Sequence, residues 1–290
     1  MSARGRRFLA RLVTMLIASL AGILAVGALP AAADTVGIGQ YVALGDSYAA
    51  GQGASAPDDY LNSCLQSPNG YPALLDAENQ IHLRANAACT GATTSDVAEE
   101  QLSVLKQGTR LVTLTVGAAD LGLSRVLAAC TAGTPQQCQD AIGLADPLLP
   151  AECGDASELG RRLGNLYADV AEAAPNALIV ATGYPLLFDD PDLLETQIND
   201  ATTRLNCAID KAVADAQSAG INIVYVDVTK AFDDHGIGGS KELFINPPPP
   251  PPTPIPINAF HPTPAGYVAY AAAISAALPS SWRANQERVA

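Results

Sequence analysis

Five short, mostly apolar runs separated by longer stretches with helical spacing constrain this 290-residue chain more than anything else in it. The runs cover residues 41–44, 81–87 (the weakest), 111–116, 177–182 and 221–226. Their apolar character is near-continuous rather than alternating, which suits strands buried on both faces. Helical patterns lie between them. Residues 95–106 follow the second run, and 157–174 repeat Leu159, Leu163, Leu166 and Val170. Residues 193–218 repeat Ile198, Ala201, Leu205, Ile209 and Val213. Thr263 and Pro264 open a last helix as N-cap and first-turn proline. Strands alternating with helices predict an α/β fold with a mostly parallel five-stranded sheet covered on both faces. No repeat period or linker divides it. Two stretches break the pattern. Residues 132–155 read as a loop holding or bordering three of the cysteines. Residues 247–252 are an unbroken proline run that must be polyproline II. It serves either as a stiff spacer or as a support for the segment containing His261.

The N-terminus reads separately. Arg4, Arg6, Arg7 and Arg11 precede an apolar run, and Ala31 and Ala33 supply the small residues of a cleavage site before Asp34. This is the layout of a secretory signal peptide over 1–33, followed by one domain over 34–290. An uncleaved anchor is the alternative, and Arg6-Arg7-Phe8-Leu9 matches a twin-arginine export signal except in its spacing. The whole chain has net charge −13; without the four leader arginines, 12 basic face 29 acidic residues, a net of −17. Such a surface excludes a phosphate-backbone partner and disfavours anionic lipid, leaning towards small or dispersed substrates. No later stretch is long enough to insert stably in a membrane. The expectation is therefore an exported protein, secreted or held in the cell envelope. Cys64, Cys89, Cys130, Cys138, Cys153 and Cys207 all follow the leader. In an exported chain an even count points to disulfides, with 15 possible connectivities. There is no C-x-x-C and no His beside a Cys pair, so a metal site is not expected.

Ligands of open parallel sheets sit at the carboxyl ends of the strands. Three unusual segments fall there or beside the last helix. Gly45-Asp46-Ser47-Tyr48 follows the first run, where a serine can be presented beside helix-start amides. Ala49 stands where a G-x-S-x-G elbow needs its second glycine. Cys89-Thr90-Gly91-Ala92 follows the second run, and Gly91 lets its amide approach a substrate oxygen closely. His261 precedes the final helix. Of the other two histidines, His82 lies in a strand-like run and His235 in a Gly-rich turn. A Ser and a His far apart in sequence suit nucleophilic acyl transfer. No phosphate-binding glycine motif accompanies them.

Taken in order, these segments resemble the blocks of the SGNH (GDSL) hydrolases, across nearly all of the chain after the leader. The first block is residues 41–48, the second 88–93, the third Thr115-Val116-Gly117-Ala118-Ala119-Asp120, and the last Phe260-His261-Pro262. The resemblance implies a three-layer α/β/α, flavodoxin-like fold and a serine esterase or lipase without cofactor, acting on a small-molecule or lipid ester and expected to be a monomer. It implies Ser47 as nucleophile, His261 as base, and the Ser47 and Gly91 amides as oxyanion donors. Its style, that of exported actinobacterial lipases and esterases, implies disulfides Cys64–Cys89, Cys130–Cys138 and Cys153–Cys207. Two departures stand out. Ala119 occupies the place of the family's oxyanion-binding Asn, which motivates the alternative of a weakly catalytic or inactive protein that binds lipid or glycan. Asn258 occupies the place of an Asp found in many members; its backbone carbonyl, rather than its side chain, is the expected partner of His261, giving a Ser–His dyad.

Overall fold

The structure, a computed structural model, describes residues 38–78, 81–250 and 253–279. The leader expected over 1–33 lies outside the described residues, as do Pro251 and Pro252 of the proline run. Five strands form one parallel sheet in the order β2-β1-β3-β4-β5. They are β1 (Ile38–Gly45), β2 (Ile81–Asn86), β3 (Leu111–Thr115), β4 (Leu178–Thr182) and β5 (Ile223–Val226). Every residue of β3 and β4 is buried, as their continuous apolar character requires. The edge strands β2 and β5 are buried only in part.

Helices cover both faces. α1 (Tyr71–Glu78) packs with the C-terminal helix, Pro264–Ala277. Between them in sequence come α2 (Leu123–Ala132), α3 (Pro135–Ala145), α4 (Glu158–Ala173) and α5 (Leu193–Ser218), which makes the C-terminal helix α6. α4 packs along α5, and α5 lies against β4 and β5. The α4 stripe of Leu159, Leu163, Leu166 and Val170 is buried, together with Tyr167. Thr263 caps α6 by accepting from the Gly266 amide, with Pro264 in the first turn. Residues 95–106 are helical in pieces: a turn at Thr94–Asp96, a π turn at Val97–Gln101 and a 3₁₀ turn at Leu102–Val104.

One expectation is corrected. Residues 132–155 are not simply a loop, because α3 runs through them. Thr134 and Gln137 form a capping box and Pro135 occupies the first turn. The buried face of α3 is Cys138, Ala141 and Ala145, and Cys130–Cys138 fastens it to α2. The other two disulfides join Cys64 to Cys89 and Cys153 to Cys207.

The strand order turns back between β1 and β3, so the crevice at their carboxyl ends is where this class of sheet binds ligands. Gly45 ends β1 there, paired with Thr115 at the end of β3. Its φ is +130°, and a Cβ would sit 2.0 Å from the Thr115 carbonyl oxygen. Only glycine lets the two strand ends close together before the chain turns into Asp46.

Candidate active site

Asp46 caps the helical turn Ser47–Ala50, accepting from the Tyr48 amide at 3.0 Å. Gly51 ends the turn in the left-handed conformation. Ser47 is the first residue of the turn, so its own amide has no intrahelical acceptor. Its hydroxyl lies 2.9 Å from Nε2 of His261. On the other side of the ring, Nδ1 lies 2.9 Å from the Ala259 carbonyl. A carbonyl can only accept, so Nδ1 carries the proton and Nε2 presents its lone pair to the Ser47 hydroxyl.

The expected backbone partner of His261 was Asn258, and the structure moves it by one residue. The Asn258 carbonyl instead accepts from the His261 backbone amide at 3.2 Å. Its side chain is also committed elsewhere, donating to the Ser55 carbonyl at 2.8 Å and accepting from the Tyr60 hydroxyl at 2.6 Å. The tight turn through Phe260, whose φ is +64°, points the Ala259 carbonyl at the ring. That turn is held by the Tyr48 hydroxyl on the Phe260 carbonyl and by Asn246, which exchanges main-chain bonds with Phe260 and His261.

Gly91 follows β2 with φ +77°, and nothing lies within 4 Å of where its Cβ would be. The loop is pinned by the Cys89 amide on the Gly45 carbonyl, the Thr90 amide on the Cys64 carbonyl, and the Cys64–Cys89 disulfide. Among the described residues, no acceptor takes the Ser47 or Gly91 amide hydrogen. Both residues line a cleft of about 100 Å³ with Gln52, Thr90, Ala118, Ala119, Leu123 and His261. Ala119 thus faces the cleft without a side-chain donor. Asp120 beside it turns away, accepting from the Thr94 amide and hydroxyl at 2.9 and 2.7 Å, with Arg162 3.5 Å distant. That ties the exit of β3 to the segment that follows Gly91.

Burial sets the charges here. It pulls the His261 pKa down to about 4, with the Ala259 carbonyl opposing only in part, so the imidazole is a free base at neutral pH. It pushes Asp46 up to about 7, although the Tyr184 hydroxyl at 2.6 Å and the Tyr48 amide favour its ionised form. Elsewhere, His235 stacks on Phe244 with its Nδ1 on the Glu242 carbonyl, and His82 is exposed on β2. No group of His, Cys, Asp and Glu that could hold a metal occurs among the described residues.

Several supporting residues escaped the sequence reading. Gln101 bonds both the amide and the carbonyl of Gly45, at 2.8 and 2.9 Å. Gln52 and Tyr60 reach the loop of His261, and Tyr184 receives the Ala118 amide while donating to Asp46. Only Gln52 carried a signal, as a polar residue between two glycines directly after the Ser47–Ala50 turn.

The GDSL-like Lipase/Acylhydrolase family model matches residues 43–269. Lipase 1 of Streptomyces coelicolor is 31% identical over 236 residues, covering 79% of this chain and 82% of that protein. The crystal structure of phospholipase A1 from Streptomyces albidoflavus superposes with a TM-score of 0.72 at 31% identity, covering 83% of this chain and all of the other. The extracellular lipase of Streptomyces rimosus superposes at 0.69 with 29% identity, covering 82% and 99%.

Proposed function

The chain belongs to the GDSL-like lipase/acylhydrolase family and is a carboxylic ester hydrolase, and from that premise we propose that Ser47 and His261 perform the hydrolysis as a dyad. The observation that carries this reading is the chain of contacts from the Ser47 hydroxyl through the imidazole to the Ala259 carbonyl. The neutral Nε2 takes the serine proton as Oγ attacks the ester carbonyl. The imidazolium keeps its Nδ1 hydrogen on the Ala259 carbonyl, a neutral partner in place of the carboxylate of a triad. The Ser47 and Gly91 amides receive the developing oxyanion. The acyl–oxygen bond then breaks, and the Nε2 proton passes to the departing alcohol. Water, deprotonated by the same ring, releases the acid.

Ala119 leaves this oxyanion site with two main-chain donors. One missing donor costs about 2.7–4 kcal/mol in a comparable hydrolase. The substrate is an ester of small-molecule or lipid type, in keeping with relatives named lipase and phospholipase A1. Export to the medium or envelope is supported by the leader-like N-terminus and by the extracellular lipase among the relatives. No helix among the described residues is long and apolar enough to cross a membrane.

Ser47→Ala is expected to lower kcat on a short aryl ester by on the order of 10⁴-fold or more. A fluorophosphonate should label wild-type protein stoichiometrically at Ser47. Full turnover in Ser47→Ala would overturn the assignment. Absence of both labelling and turnover in folded wild type would favour the lipid- or glycan-binding alternative that Ala119 suggests.

A further inference from the structure

Gln52 is 5% exposed, and its side chain bridges two loops of the active site. Nε2 donates to the Ile257 carbonyl, on the loop that carries His261. Oε1 accepts from the Thr90 hydroxyl at 2.6 Å, beside Gly91. Because a carbonyl can only accept, the amide orientation follows from the Ile257 contact. Its backbone is equally fixed: the amide donates to the Ser47 carbonyl at 3.0 Å, and the carbonyl accepts from the Tyr267 hydroxyl at 2.9 Å.

This bridge does not exhaust the bonding capacity of the pair. An amide nitrogen has two hydrogens and a hydroxyl oxygen two lone pairs. Among the described residues, the second Nε2 hydrogen and the acceptor side of the Thr90 hydroxyl have no protein partner. Both residues line the cleft with Ser47, Gly91 and His261. The segment leaving β3 lines it differently, with Ala118, Ala119, Leu123 and Leu127, and with Ser124 exposed at its edge.

The chemistry assigns the two linings. His261 Nε2 must hand its proton to the departing alkoxide, so the alcohol half of the ester leaves on the imidazole side. Gln52 is tethered to that side. The adjoining Gly53 packs against the base of the His261 side chain, since a Cβ there would lie 2.8 Å from the His261 Cβ. We propose that Gln52 and Thr90 form a polar subsite for the alcohol half of the substrate. It selects alcohols that carry a free hydroxyl, such as a partially acylated polyol, over plain alkyl alcohols. The apolar lining from the β3 exit takes the acyl half. The inference rests on the Ser47–His261 reading and adds no reactant to it.

The test compares glycerol monobutyrate with n-propyl butyrate, which share the acyl group and a three-carbon alcohol and differ by two hydroxyls. The ratio of their kcat/KM values, divided by the ratio of their rates of alkaline hydrolysis, should favour the glycerol ester by about tenfold in wild type. Gln52→Leu and Thr90→Val should each reduce that ratio by about three- to tenfold. If either variant loses rate on both esters in equal proportion, the pair is only a structural brace and the proposal fails. If Gln52→Leu does not fold, Thr90→Val decides alone, because it keeps the side chain's shape. The underlying reading fails separately. Folded wild type inactive on both esters, or Ser47→Ala active on either, would overturn the dyad. An unshifted ratio beside a dead Ser47→Ala would overturn only the subsite.

Discussion

At pH 5 the enzyme should keep nearly all of its neutral-pH kcat/KM on a soluble ester, because of what surrounds His261. Burial holds the imidazole neutral down to about pH 4, against 6.5 for the unperturbed side chain. At about 1.4 kcal/mol per pH unit, the gap favours the uncharged ring by about 3 kcal/mol. A base titrating at 6.5 would be only about 3% neutral at pH 5, whereas one titrating at 4 would be about 90% neutral. The profile of kcat/KM reports the essential base of the free enzyme, so the two cases differ by about 30-fold at pH 5. The assay is the initial rate on a soluble butyrate ester between pH 3.5 and 8, with butyrate measured by chromatography and folding followed by circular dichroism. An acid limb centred near pH 6.5 in folded protein would refute the argument that burial tunes this base. Stability carries a linked sign. The unfolded chain protonates His261 first, so this group makes the fold less stable as pH falls from 6.5 towards 4. Asp46 acts oppositely: its contribution is full below about pH 3.8 and is lost as pH rises through about 7. The melting temperature of wild type should therefore vary little between pH 4 and 7. Asp46→Asn, which removes the Asp46 contribution and leaves that of His261 unopposed by it, should fall more steeply in acid.

Other perturbations probe the frame of the site. Ala119→Asn should raise kcat several-fold if a third oxyanion donor is missing, and an unchanged kcat in folded variant would show that another group already supplies it. Replacing Cys64 and Cys89 together opens a bridge of sequence separation 25, which should cost about 3.5 kcal/mol. For a chain of this size that is about 10 °C in melting temperature. Because the bridge also pins the Gly91 loop, kcat should fall too, and an unaltered kcat would count against that role. Gly45→Ala should fail to fold or lose more than about 3 kcal/mol, since its Cβ meets the Thr115 carbonyl oxygen at positive φ. Denaturant unfolding measures this, and a near-neutral result would contradict the strand-end packing.

The strands, and the segments that bring Ser47 and His261 together, were legible for physical reasons. Strands buried on both faces carry apolar side chains throughout, and turns at strand ends leave Gly, Asp and Ser in recognisable order. α3 was misread because its buried face is built from Cys138, Ala141 and Ala145, too small to give an apolar rhythm. Its start was written in Thr134, Pro135 and Gln137, but the glycines and cysteines around it suggested a loop. The partner of His261 was misplaced by one residue because any residue supplies a carbonyl. Only the positive φ of Phe260 and its neighbours' bonds decide which one faces the ring. Gln101 and Tyr184 left no trace, since each acts through contacts with residues 56 or more positions away in the chain.

The bonds that hang the His261 loop on the Ser47 side of the cleft have a consequence for the order of assembly. Gln52 reaches Ile257, Ser55 meets Asn258, and Tyr48 meets Phe260. Ser47 and His261 are 214 residues apart in the chain. A growing polypeptide therefore adds 214 residues after Ser47 before the imidazole that meets its hydroxyl is made. The pairing on which the proposed hydrolysis depends arrives only when the last loop docks against segments that were made first.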